Sequence, residues 1–154
     1  KMLLRYPSAV STIGEMASGS FQEVIDDPKA KASNIDTVVL CCGKFYYEMS
    51  EKAAEMGVDN MAFVRVEQLY PLPEKQIRAT LSKYKGAKNI IWAQEEPANM
   101  GAWAHMAMSM PDLGLKGVSR KASAAAAEGS SALHKKRLNK LFEDLFQYAK
   151  VAVK

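Results

Sequence analysis

The sequence predicts a three-layer α/β/α domain built on a mostly parallel sheet. Three observations carry that expectation. Residues 37–42 (TVVLCC), 61–66 (MAFVRV) and 89–94 (NIIWAQ) are short, largely apolar runs, the pattern of strands buried on both faces. Stretches with helical periodicity separate them, and the connections are only a few residues long, which suits right-handed crossovers. The chain has 154 residues, 48% of them hydrophobic, which is enough for one domain with its own core.

Residues 1–36 read as an irregular lead-in segment that packs on the domain formed by residues 37–154. Residues 2–7 look extended because Pro7 disfavours a helical Tyr6. Residues 21–25 form a short strand candidate ended by Asp26, Asp27 and Pro28, and residues 29–34 form a polar loop. After the strand at 37–42, Gly43 makes the turn, and a helix spans 45–56 with Gly57 as its C-cap. A second strand follows at 61–66. Pro71 and Pro73 punctuate the next loop, and 74–84 is an amphipathic helix. A third strand covers 89–94. Residues 98–110 read as helix stopped by Pro111, residues 116–119 as a weaker fourth strand, and residues 131–149 as a long terminal helix.

Composition excludes several classes of function. Lysine and arginine number 21 against 17 aspartate and glutamate, a net charge of +4. From Lys116 onward there are nine basic and three acidic residues, but aromatic side chains that would stack bases are lacking around the basic cluster, so no nucleic-acid partner is expected. No apolar run approaches the ~20 residues of a membrane helix, so no membrane partner is expected either. Cys41 and Cys42 are adjacent, a poor geometry for a disulfide, and no Cys/His spacing suggests zinc. Lys1 before Met2 fits a piece cut from a longer protein.

Residue chemistry alone yields a fold and no reaction. Cys42-Gly43-Lys44 sits where a strand feeds a helix, which suits either an anion or a plain turn with a solvated lysine. Glu95 and Glu96 stand at the carboxyl end of a central strand, the edge where open α/β sheets bind ligands. They can divide acid and base roles, hold a metal, cap the following helix, or hydrogen-bond across a subunit boundary. His105 reads as a packed residue beside Trp103 and Met106, and His134 with Lys135, Lys136 and Arg137 as a solvated face.

Four blocks add a resemblance: TVVLCCGKFYY (37–47), AFVRVEQLYPLP (62–73), WAQEEPANMGAW (92–103) and RKASAAAAEGSSALH (120–134). In order and over nearly the whole chain, they resemble the C-terminal domain of 2-oxoglutarate dehydrogenase, the thiamine-diphosphate-dependent first component of its complex. Residues 2–5 and FQEVIDDP (21–28) resemble the segment leading into it. The resemblance implies a transketolase C-terminal-domain-like fold, a single domain from a larger multidomain subunit of the transketolase-like superfamily. The parent would decarboxylate 2-oxoglutarate in the tricarboxylic acid cycle and pass the succinyl group to the lipoyl arm of the acyltransferase component. Thiamine diphosphate and Mg2+ would be bound by the earlier domains, leaving no catalytic residue, metal or cofactor in this fragment. It also implies a homodimer, located in the bacterial cytoplasm or the mitochondrial matrix.

Within that resemblance, Glu95, Glu96, Asn99, Met100 and Trp103 are interface candidates, with Gly101 allowing close backbone approach. The competing expectation puts Trp103 in the core and the two carboxylates on the helix from Ala98. Effector-binding branches carry a lysine, a glutamine and paired arginines where this chain has Ser20, Gln68, Lys75 and Gln76. Only the glutamine is kept, and Lys75 retains a charge without arginine's planar fork. The alternatives are an acyl-CoA or nucleotide effector-binding module, or the same domain of a related 2-oxo acid dehydrogenase or decarboxylase. The family's Gly-Arg-Pro-Ala-Ser-Ala-Ser-Pro stretch is Ser119 to Ala126 here. Both prolines are missing, so that loop is expected to be more helical or more mobile.

Overall fold

A computed structural model describes residues 3–149. Its five strands are β1 (Val24–Ile25), β2 (Thr37–Cys41), β3 (Met61–Val66), β4 (Asn89–Pro97) and β5 (Lys116–Arg120). Its helices are α1 (Ile13–Ser18), α2 (Phe45–Met56), α3 (Glu74–Leu81), α4 (Trp103–Ser109) and α5 (Ser131–Phe146). The strands form one sheet in the order β1-β3-β2-β4-β5, parallel throughout except for β1, which runs antiparallel to β3.

The alternation of side chains along each strand builds two cores. Val39, Cys41, Phe63, Ile91, Ala93 and Val118 face one side, where Phe45 and Met49 of α2 and Leu141 and Leu145 of α5 cover them. Val38, Leu40, Ala62, Val64 and Trp92 face the other, under Ile77 of α3 and Met106 of α4. Every residue of β2 is buried, as its unbroken apolar run requires of a central strand. The result is the α/β/α arrangement the alternation of elements predicts.

The boundaries of α2 and β3 coincide with the sequence reading, and Gly57 closes α2 in the left-handed region at φ 67°. Other elements differ for identifiable reasons. Residues 3–5 form a 3-10 turn instead of extended chain, because Pro7 constrains only Tyr6, whose N–H closes the turn on the Leu3 carbonyl at 3.2 Å; Met2 lies outside the described residues. Within the lead-in, Thr12 and Glu15 make a reciprocal capping box that starts α1. Only Val24 and Ile25 of the expected strand pair with β3, opposite Val66 and Arg65. α3 and α5 end a turn earlier than their periodicity suggests, at Leu81 and Phe146. β4 continues to Pro97, and α4 begins only at Trp103. Residues 121–130 form no helix despite their alanines.

Candidate functional site

The sheet order places β3 on one side of β2 and β4 on the other, so the topological switch point lies between β2 and β4. The carboxyl ends of these strands carry Cys42-Gly43-Lys44 and Gln94-Glu95-Glu96, and the crevice outside them is where such sheets bind ligands.

Lys44 is engaged there. Its Nζ lies 2.5 Å from Glu48 Oε1 and 3.1 Å from Glu95 Oε2. Burial works against its charge, but the hydrogen bonds to Glu48 and Glu95 outweigh it and hold the lysine above its ordinary value. It is therefore neither a free anion ligand nor a solvated residue. Cys42, beside it, is pushed up to about 11 by burial and then by Glu96, Glu67 and Glu95, so its thiol stays protonated near neutrality. Cys41 is buried and is pushed up further by its desolvation; both cysteines are free.

Gln94 organises the segment that follows. It is 3% exposed, and its carbonyl oxygen accepts from Trp92 Nε1 and from the Trp103 backbone N–H, both at 2.9 Å. Its amide nitrogen donates to the carbonyls of Met100 at 2.7 Å and Pro97 at 3.1 Å. Gly101, at φ +65°, makes room for that amide. This one side chain explains why residues 98–102 turn instead of joining α4. It also corrects the capping expectation: with α4 starting at Trp103, its first turn carries no acidic residue, and Glu95 pairs with Lys44.

The expected interface residues therefore lie on the end of β4, on the fixed turn after it and at the start of α4. Glu95 and Glu96 are half-buried, and exposed Asn99 exchanges hydrogen bonds with the Ser123 backbone, 3.0 Å each way. Met100 is half-buried. Trp103 is half-buried, and its ring lies over Gly117 of β5, where a Cβ would stand 2.7 Å from Trp103 Cε2. A cavity of about 350 Å³ opens beside the loop, lined by Cys42, Leu69, Tyr70, Trp92, Glu96 and His105 among others. His105 Nε2 is 2.9 Å from the Leu69 carbonyl, which ties α4 to the loop after β3.

Ser20, Gln68, Lys75 and Gln76 are brought together only in part. Glu23 joins two of them: its carbonyl accepts from the Gln68 N–H at 3.2 Å, and its carboxylate accepts from Gln76 Nε2 at 3.0 Å. Gln68 Nε2 donates to the Pro71 carbonyl at 2.7 Å, while Ser20 and Lys75 are exposed.

A second cluster joins Arg120 to His134 and Arg137, the latter two read from the sequence only as part of a solvated face, on the Glu128 carboxylate. Arg120, at the end of β5, donates through Nε to the Glu95 carbonyl and through Nη2 to the Ala126 carbonyl, each at 2.5 Å, and pairs through Nη1 with Glu128. Arg137 Nη1 reaches the same carboxylate at 2.6 Å, and His134 Nδ1 lies 3.7 Å from its other oxygen. Burial pushes the Glu128 carboxyl up, but Arg137 and Arg120 outweigh that and hold it below the usual range. The spacing of Arg120, Glu128 and Arg137 gives no periodic signal, because the loop between them is irregular. The only hint for Gln94 is a polar residue ending a buried run, which must find partners.

Residues 10–146 match the family described as 2-oxoglutarate dehydrogenase C-terminal. The chain belongs to that family. It is similar to the 2-oxoglutarate dehydrogenase E1 component of Azotobacter vinelandii, 39% identical over 159 residues, which covers 95% of this chain and 16% of that protein. It is also 34% identical over 157 residues to the multifunctional 2-oxoglutarate metabolism enzyme of Mycolicibacterium vanbaalenii, covering 95% of this chain and 13% of that one. The chain thus spans less than a fifth of either relative.

Thiamine diphosphate with Mg2+ does not fit the residues of this family domain. Among the described residues no three His, Cys, Asp or Glu side chains are arranged to hold a metal ion. The one lysine at the switch point is already held by Glu48 and Glu95.

Proposed function

We propose that this chain is the C-terminal domain of the decarboxylating component of a 2-oxoglutarate dehydrogenase complex, and that it contributes no catalytic residue. The parent subunit decarboxylates 2-oxoglutarate on thiamine diphosphate held by its other domains. It then passes the succinyl group to the lipoyl arm of the acyltransferase component, in the bacterial cytoplasm or the mitochondrial matrix. The domain's part is to support the homodimer. The observation that supports this role is the Gln94 network, which fixes residues 98–102 as a partly exposed turn between β4 and α4, with Asn99 and Met100 on it and Trp103 at its end.

An effector-binding module is the weaker reading, because the amides of Gln68 and Gln76 already have partners in Pro71 and Glu23. Mixing the purified chain with 2-oxoglutarate, thiamine diphosphate and Mg2+ tests the proposal. No carbon dioxide above background is expected, and measurable turnover would overturn the claim that the domain is silent alone.

A further inference from the structure

β5 ends the sheet, so among the described residues one of its edges has no strand beside it. The Ala98 N–H donates to the Arg120 carbonyl at 2.9 Å, which turns the backbone of Arg120 toward β4. By the alternation of a strand, the N–H and C=O of Ser119 point to the open edge. Between that edge and α5 lies a groove of about 290 Å³, with Leu141 and Ala122 among its apolar walls. Its rim carries Lys121, Arg137 and Lys140. Asp144, the acidic residue on the rim, is held by Lys140 at 2.9 Å. Arg137 pairs with Glu128 and Lys140 also with Glu143, but their side chains remain 46% and 66% exposed and can share a further carboxylate.

We propose that this groove docks an extended acidic segment of another polypeptide, added as a strand to the open edge of β5. Backbone hydrogen bonds to Ser119 would hold the segment, and its carboxylates would meet Lys121, Arg137 and Lys140. Charge complementarity selects this occupant: the groove's lining carries four cations, Arg120, Lys121, Arg137 and Lys140, against one acid, Asp144. It disfavours a second copy of the chain, since two β5 edges paired about a two-fold axis at the strand's centre, Val118, would set Lys116 opposite Arg120.

The test uses the isotopically labelled 154-residue chain and three decapeptides. One alternates Glu and Val, one alternates Lys and Val, and the third is the acidic peptide N-methylated on alternate residues along one edge. The acidic peptide is expected to bind, with amide shifts confined to residues 119–123 and 137–144, and to weaken with salt. The N-methylated peptide and the Lys121→Glu/Lys140→Glu chain should each bind about tenfold more weakly or worse. Lys121→Gln serves if the double variant does not fold. The proposal is overturned if the acidic peptide does not bind, if the basic peptide binds equally, or if N-methylation changes nothing. Shifts elsewhere, or self-association of the chain through β5 that excludes the peptide, would overturn it too.

Discussion

Gly101 lies directly against Gln94: a Cβ on Gly101 would stand 2.8 Å from Gln94 Oε1. The glycine and the buried amide form one device. The positive φ turns the chain back over the strand, and the amide hydrogen-bonds both ends of the turn it creates. Gly101→Ala is expected to cost about 1–2 kcal/mol from backbone strain alone. Gln94→Leu should cost more, roughly 3 kcal/mol, because Met100, Pro97, Trp92 and Trp103 all lose a partner out of water. Urea unfolding of the two variants checks both the order and the size.

Trp92 and Trp103 should separate by role. Trp92 is fully buried, and Trp92→Ala is expected to remove about 3–5 kcal/mol from the isolated domain. Trp103 is half-buried over Gly117, so Trp103→Ala should cost the isolated domain less, while weakening the dimer of the full-length parent in sedimentation. An isolated-domain loss as large as that of Trp92→Ala would make Trp103 a core residue and remove it from the interface.

Glu128 holds the loop between β5 and α5. Replacing it with alanine leaves Arg120 and Arg137 without their shared carboxylate. Trypsin should then cut after Arg120 and Lys121 sooner than in the parent chain, with little change in far-ultraviolet circular dichroism. Unchanged cleavage would show that the loop is held by something else.

The pH dependence of stability should reflect Asp26. Burial raises its pKa, but hydrogen bonds from Lys83 at 2.7 Å, Tyr84 at 2.5 Å and the Asp27 N–H at 2.9 Å outweigh this and hold it below the usual value. A depressed carboxylate stabilises the folded state above its unfolded pKa of about 3.9, and that stability is lost as pH falls through the lower folded value. Asp26→Asn should therefore be less stable than the parent chain near neutrality, and the gap should close in acid. A gap that stays constant down to acid pH would exclude ionic stabilisation at this site.

Cys42 should react slowly with a thiol reagent at neutral pH and faster as pH rises toward about 11. Cys41 should stay protected until the domain unfolds. Rapid neutral labelling of Cys42 would contradict its half-buried setting under the influence of Glu96, Glu67 and Glu95.

The layers were legible because the strands of this sheet are short and buried, so residues 37–42, 61–66 and 89–94 carry their signal in consecutive positions. Gly57 was legible because a left-handed C-cap strongly favours glycine. The start of α4 was not, since residues 98–110 keep helical composition, and only the tertiary reach of Gln94 delays the helix to Trp103. The Thr12 and Glu15 capping box was in plain view, but no apolar face follows it: Ile13 and Met16 are both exposed. Lys44 could be placed at a strand-to-helix turn but not paired, because Glu95 lies 51 positions away and meets it only through the parallel β2–β4 register.

If this chain is, as proposed, the C-terminal domain of a 2-oxoglutarate-decarboxylating subunit, it should complete such a subunit in place of a relative's own domain. The most direct measurement is carbon dioxide release from 2-oxoglutarate by a chimera in which this chain replaces the matching segment of the Azotobacter vinelandii enzyme, to which it is 39% identical. A dimeric chimera that decarboxylates 2-oxoglutarate with thiamine diphosphate and Mg2+ is expected. A chimera that folds and dimerises yet releases no carbon dioxide would contradict it.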